Sequence, residues 1–315
     1  MALLYLVTNW SADLWAGAMR RQAPDLDVRV WPKETGRLED ITYAVAWLPP
    51  ANVLRSLPNL KVIFSLGAGV DAILKDKTLP DGVPIARVID PDLTMRMSEY
   101  VVMHVLLHHR QQRRIDDNQR NGVWDGFATH AASALTVGIM GLGVMGGDSA
   151  RKLAMMGFKV VGWSRTRKAI PGVDCFAGMG EFDSFLERTD ILVCLLPHTP
   201  ETTGIINRDV IRKLSRKGPL GGPVLINAGR GKQQVEGDIL AALDAGELHA
   251  ASLDVFETEP LPADSRFWGH PKVLVSPHVA GDSDPETISA YVLSQIRRHR
   301  KGLPVENLID RTLGY

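Results

Sequence analysis

Short apolar runs alternate along the chain with longer stretches in which apolar and polar positions repeat at helical spacing. In the first third, the runs at residues 3–8, 28–31, 43–48, 62–66 and 85–88 predict strands. Residues 12–22 and 51–57 between them predict helices. Ser98 is a plausible N-cap for a long helix reaching about Arg120, with Val101, Val105, Leu106 and Ile115 on its apolar side. A second alternating block follows, with strands predicted at 136–140, 159–163, 191–196, 224–227, 251–255 and 273–276. A last helix, about 285–300, is expected to cross back and pack on the first block. Strand–helix alternation of this kind predicts an α/β fold with two doubly wound parallel-sheet domains. The expected division is 1–97 plus 284–315 for one domain and 98–283 for the other.

Candidate chemistry enters at the first strand of the second block. Residues 135–140 run straight into Gly141-Leu142-Gly143-Val144-Met145-Gly146, and these into a helical stretch. A glycine pattern between strand and helix serves dinucleotides: Gly141 permits the tight turn, Gly143 a close approach to the pyrophosphate, and Gly146 the packing of helix on strand. The helix start then offers free N–H groups to phosphate. The next strand ends Trp163-Ser164-Arg165-Thr166-Arg167-Lys168. A carboxylate for ribose hydroxyls is missing there, and guanidinium forks suit a 2′-phosphate. The expected cofactor is therefore NADP(H), with weaker NAD(H) use, and Ser164, Arg165, Thr166 and Arg167 on the phosphate.

Three later segments each end a predicted strand. They are Asn227-Ala228-Gly229-Arg230, Asp254-Val255-Phe256-Glu257-Thr258-Glu259 and Ser276-Pro277-His278. Strand C-termini of an open α/β sheet face the ligand crevice, so one Arg, one carboxylate and one His are expected to converge there. Either Glu257 or Glu259 can supply the carboxylate.

These segments, with Leu66-Gly67-Ala68-Gly69-Val70-Asp71, the fingerprint glycines and Pro197-His198-Thr199-Pro200-Glu201-Thr202, resemble the D-isomer-specific 2-hydroxyacid dehydrogenase family over nearly the whole chain. Within it, the glyoxylate/hydroxypyruvate reductase A branch is most similar. The resemblance implies a flavodoxin-like substrate domain and a Rossmann cofactor domain, and places Arg230, Glu259 and His278 on the catalytic triad. It implies cofactor contacts at Leu196, Pro197, Ala228, Gly229 and Asp254, the last near the nicotinamide or, alternatively, as a loop cap. It places the substrate carboxylate on the amides of Ala68 and Gly69 and on Arg230, with Trp47 as a pocket wall. A homodimer through the cofactor domain is also implied, with Trp124 as a candidate contact. His198 departs from the Leu that many relatives carry, and the loop 218–223 looks longer than usual for the family. The implied reaction is reduction of a small 2-keto acid such as glyoxylate or hydroxypyruvate. His278 would be the general acid, Glu259 its orienting partner, and Arg230 the group that binds and polarises the substrate. Larger, phenylpyruvate-like keto acids and a non-catalytic NAD(P)-sensing role are the alternatives. Formate oxidation is disfavoured, since it needs no proton donor.

Composition narrows the remaining classes. Lys plus Arg and Asp plus Glu are equal, 36 against 36, so no net field favours nucleic acid or an anionic membrane. The run Arg297-Arg298-His299-Arg300-Lys301 falls where a helix C-terminus favours cations. The two cysteines allow no disulfide framework, and no Cys/His group has zinc spacing. His104, His108 and His109 on the long helix read as packing or subunit contacts. Residues 1–8 read as a strand and not a signal peptide, and no run approaches the roughly 20 apolar residues of a membrane span, so a cytoplasmic location is expected.

Overall fold

The computed structural model describes residues 1–314. The chain divides into two compact units, Met1–Leu93 with Ser283–Tyr315, and Thr94–Asp282. The first holds five parallel strands, β1 (Ala2–Val7), β2 (Asp27–Val30), β3 (Ile41–Trp47), β4 (Val62–Ser65) and β5 (Ile85–Ala86), in the order β2-β1-β3-β4-β5. This is the flavodoxin-like winding. All six residues of β1, Ala-Leu-Leu-Tyr-Leu-Val, are buried, because apolar clusters cover both faces of the sheet. One face carries the helix Ala12–Gln22 together with the last helix, Pro285–Arg300. Ile288, Val292 and Ile296 recur every four residues and meet Trp15, Ala16 and Met19 in one cluster. Asp284 caps that helix by accepting from Thr287 N–H at 2.9 Å.

Two predicted elements of this unit came out differently. Residues 51–57 form turns and a short 3₁₀ segment, Leu54–Ser56, where a helix was expected. Pro49, Pro50 and Pro58 bracket the stretch and Asn52 sits at φ +67°, which leaves no room for a regular helix. The long helix starts at Pro91, not after Ser98: Asp90 caps it through Asp92 and Leu93 N–H, and Pro suits a first helical position. It ends at His109. Gln111, at φ +54°, separates it from a second helix, Gln112–Arg120.

The second unit holds seven parallel strands: β6 (Thr136–Met140), β7 (Lys159–Ser164), β8 (Val173–Ala177), β9 (Ile191–Cys194), β10 (Val224–Asn227), β11 (Ala250–Leu253) and β12 (Val273–Val275). Their order is β12-β11-β10-β9-β6-β7-β8, a Rossmann winding in which the direction of travel reverses between β6 and β9. Six strands were expected, and β8 is the seventh. It is an edge strand with mixed burial and an exposed Asp174, so it lacks the continuous apolar run that marks the others.

Helix Pro91–His109 brings three histidines to this unit. His104 Nδ1 and His108 Nε2 both bond Ser252 Oγ, at 2.9 and 2.8 Å. Burial drives His104 down to about 4, against the opposing charge of Asp254. Burial first, then the repulsion that a proton on this ring would meet from His104, His249 and Arg113, pushes His108 down to about 3. Both rings are neutral in the folded state, whereas the unfolded chain protonates them near pH 6.5. The stability they contribute is therefore complete above 6.5 and is lost as pH falls from there, toward 4 for His104 and toward 3 for His108. Urea denaturation across that window should show a loss to which His104 alone contributes roughly 3 kcal/mol, at about 1.4 kcal/mol for each unit of pKa, and which His104→Gln removes in that part. An unchanged pH slope in the variant would refute the assignment.

Candidate active site

The glycine turn sits where β6 ends. Gly141 has φ +103°, and a Cβ there would lie 2.7 Å from the Leu195 carbonyl oxygen. A Cβ on Gly146 would lie 1.8 Å from the Gly141 oxygen, so helix and turn touch backbone to backbone. Gly143, by contrast, has no neighbour of this kind within 4 Å, and the helix Val144–Met155 starts there without a side-chain cap. The first N–H groups of that helix thus lack a side-chain cap beside a position open to close approach, which is the fit a pyrophosphate requires. Leu142 packs over Gly162 of β7, where a Cβ would meet it at 2.5 Å.

The β7 end divides its residues between scaffold and surface. Trp163 lies in the core, with Nε1 donating to the Gly178 carbonyl at 2.8 Å. Ser164 is buried and donates to the Thr166 carbonyl at 2.9 Å. Arg167 donates to the Cys175 carbonyl at 2.6 Å and pairs with Glu181, which in turn accepts from Ala177 N–H. That amide and then the Arg167 guanidinium hold Glu181 below its ordinary range. Arg167 is thus already engaged in bracing β8. Arg165 and Thr166 are exposed, and the charge of Arg165 reaches Glu201 on the 197–203 loop, as a minor contribution to that carboxylate's lowered pKa behind hydrogen bonds from the Glu201 backbone and Thr199.

At the far side of the switch point, the candidate triad comes together. His278 Nδ1 meets Glu259 Oε2 at 2.7 Å, while Glu259 Oε1 accepts from Phe256 N–H at 3.0 Å. Burial raises the Glu259 pKa. The His278 and Phe256 hydrogen bonds and the charges of His278 and Arg230 outweigh it, so the carboxyl titrates low and stays ionised. Glu257, the competing carboxylate, exchanges hydrogen bonds with Glu236 at the start of helix Glu236–Asp244 and is turned away from the imidazole. Arg230 follows β10, its guanidinium donating to the Gly229 carbonyl at 2.8 Å. Its own N–H donates to Gln233 Oε1. Gln233 Nε2 also donates to the carbonyls of Leu196 and Pro197, at 2.8 and 2.9 Å. Ala228 is buried, and Gly229 N–H donates to Asn227 Oδ1. His198 bonds Thr203 Oγ1 at 2.9 Å.

Asp254 is buried and its carboxylate is taken up by its own surroundings. It accepts from Ser276 Oγ at 2.6 Å, Val279 N–H at 3.0 Å and Ala280 N–H at 2.9 Å. The loop-capping alternative is thus what this geometry displays.

In the first unit, Trp47 ends β3 and its ring lies against Gly67, where a Cβ would sit 2.6 Å from Cζ3. Ser65 Oγ lies 2.8 Å from the Gly67 and 2.9 Å from the Gly69 carbonyl. Ala68 and Gly69 are half-buried. Trp10 stacks on Trp47 at 4.5 Å. Sequence reasoning passed over Gln233 and Gln234 and gave Ser276 no role of its own. Polar residues that serve a site through a second residue carry no spacing signal of their own.

Residues 102–280 match the family model described as D-isomer specific 2-hydroxyacid dehydrogenase, NAD binding domain. The chain belongs to the D-isomer specific 2-hydroxyacid dehydrogenase family. The matched span of this family member includes the glycine turn and all three of Arg230, Glu259 and His278. A glyoxylate/hydroxypyruvate reductase A from Yersinia enterocolitica is 38% identical, with all of both chains covered. An NADPH-dependent glyoxylate/hydroxypyruvate reductase from Sinorhizobium meliloti, solved with NADP and sulfate, is 46% identical with a TM-score of 0.95 over the whole of both chains. A family member from Xanthobacter autotrophicus, solved with NADPH and MES, is 39% identical with a TM-score of 0.94 over 100% of this chain and 99% of that one. No helix among the described residues is long and apolar enough to cross a membrane.

Proposed function

We propose that this chain reduces small 2-keto acids of the glyoxylate and hydroxypyruvate type to 2-hydroxy acids, using NADPH. The observation that carries the reading is the His278–Glu259 pair under the charge of Arg230, at the same edge of the sheet as the glycine turn. Because every strand of this sheet is parallel, Met140, Asn227, Leu253 and Val275 all end at that edge.

Bound there, NADPH would supply a hydride to the carbonyl carbon. The carbonyl oxygen then gains charge and needs a proton. Glu259 holds His278 by Nδ1, which leaves Nε2 of the protonated ring to give its proton to that oxygen. Arg230 offers a forked guanidinium that only donates, so it serves to bind the carboxylate and polarise the ketone. The amides of Ala68 and Gly69 suit a carboxylate, and Trp47 walls that turn. Leu142, Val144 and Met145 line the pyrophosphate turn with the glycines. Leu196, Pro197, Ala228 and Gly229 border the cofactor through their backbones, and Asp254 acts by shaping the loop that follows it. Arg165, with Thr166 and the backbone of Trp163 and Ser164, takes the 2′-phosphate, while Arg167 braces it from its pairing with Glu181. The unit Thr94–Asp282 is then the dinucleotide-binding domain and the other the substrate domain. Trp124 stands fully exposed in an irregular segment after helix Gln112–Arg120, which supports a homodimer through the cofactor domain. A cytoplasmic location suits an NADPH-consuming enzyme.

His278→Ala should lower turnover of glyoxylate about 10²–10⁴-fold and leave NADPH binding near the wild-type level, measured by fluorescence titration. Retained turnover would sink the proton-donor role. Arg165→Asp should raise KM for NADPH by roughly 10–100-fold and that for NADH far less. Equal changes for the two cofactors would place the 2′-phosphate elsewhere. Light scattering should give twice the chain mass, and a monomer would remove the dimer.

A further inference from the structure

The imidazole that donates the proton sits on an unfavourable backbone. His278 has φ +56°, a region that costs a non-glycine residue about 1–3 kcal/mol and persists only where its surroundings over-determine it. The source of that constraint is a single residue. Three consecutive amides of the loop bond Asp254: His278 N–H to its main-chain oxygen at 2.8 Å, Val279 N–H to Oδ1 at 3.0 Å and Ala280 N–H to Oδ2 at 2.9 Å. The orientation of the Asp254 carboxylate therefore sets the path of the loop, and with it the aim of the ring.

What holds the carboxylate is found two steps further out. Ser276 Oγ lies 2.6 Å from Asp254 Oδ1 and 2.8 Å from the Tyr100 hydroxyl. A carboxylate only accepts, so the one Ser276 proton goes to Asp254. Ser276 must then accept from Tyr100, and the chain of donors has one direction, Tyr100 to Ser276 to Asp254. Tyr100 is itself fixed. It is buried on helix Pro91–His109, its ring packs at a tilt against His104 with centroids 4.1 Å apart, and His104 is tied to Ser252 of β11, the strand that leads into Asp254.

We propose that Tyr100 is a positioning residue for proton transfer: through Ser276 and Asp254 its hydroxyl holds the loop in the conformation that presents His278. The inference rests on the reading of His278 as proton donor. It assigns Tyr100 no contact with substrate or cofactor. Its effect is on the aim of a group already in place, so it belongs to kcat and not to KM, because a small misplacement of a reacting group is expensive while binding contacts are untouched.

The decisive variant is Tyr100→Phe, which keeps the ring on His104 and removes one hydroxyl. With glyoxylate and NADPH, kcat per folded, NADPH-binding site should fall about tenfold. KM for glyoxylate and the Kd for NADPH should stay within about twofold, since neither contact set changes. Ser276→Ala should reproduce the defect. The double variant should be no worse than the poorer single one, because the two hydroxyls act in series. Wild-type kcat per folded site in Tyr100→Phe, equal losses in KM and kcat, or multiplying defects in the double variant would overturn the inference. If His278→Ala is inactive in the same assay, the proton-donor reading survives that result. Full activity in His278→Ala would overturn both.

Discussion

A parallel sheet covered on both faces leaves no room along its inner strands for charged side chains, and polar ones there need a buried partner, as Ser252 of β11 finds in His104 and His108. Every residue of β9, β10 and β11 is buried, and apolar clusters lie on either side. Charge is therefore forced to the strand ends. Parallel pairing puts all the C-terminal ends at one edge, so residues far apart in sequence meet there without any other device. Arg230, Asp254 and His278 each stand within three residues of a strand end in the unit Thr94–Asp282.

The same constraint explains how the site is wired. Groups that must be buried and polar near that edge satisfy one another. Gln233 joins Arg230 to the Leu196 and Pro197 carbonyls, and Gln234 joins Asn227 to Val255. Asp254 gathers the amides after β12. These bonds leave the neighbouring backbones one arrangement, and Glu259 and His278 are held by it. A proton-transfer group gains most from such rigidity, because its geometry has to be right before the reaction and not during it.

Much of this was legible in the chain. The apolar runs announced the strands because burial on both faces demands them, and the glycine turn announced itself because Gly141 and Gly146 each stand where a Cβ would collide with backbone. β8 was missed because an edge strand with one mixed face has no such run. The start of the long helix was misread at Ser98, although Asp90-Pro91 carries the capping chemistry. Ser98 is in fact buried inside the helix, bonded to Asp148 and Ser149. Local signals compete, and only packing chooses between them.

The sequence by itself determined the winding, the dinucleotide turn and the identity of the residues at the strand ends, since these follow from periodicity, steric room and residue chemistry. Tertiary structure alone decided which of two glutamates meets the imidazole and which arginine braces β8. It also decided that a tyrosine 178 residues away bears on the loop that carries His278. Those outcomes depend on distances between side chains brought together by the sheet, and spacing along the chain holds no record of them.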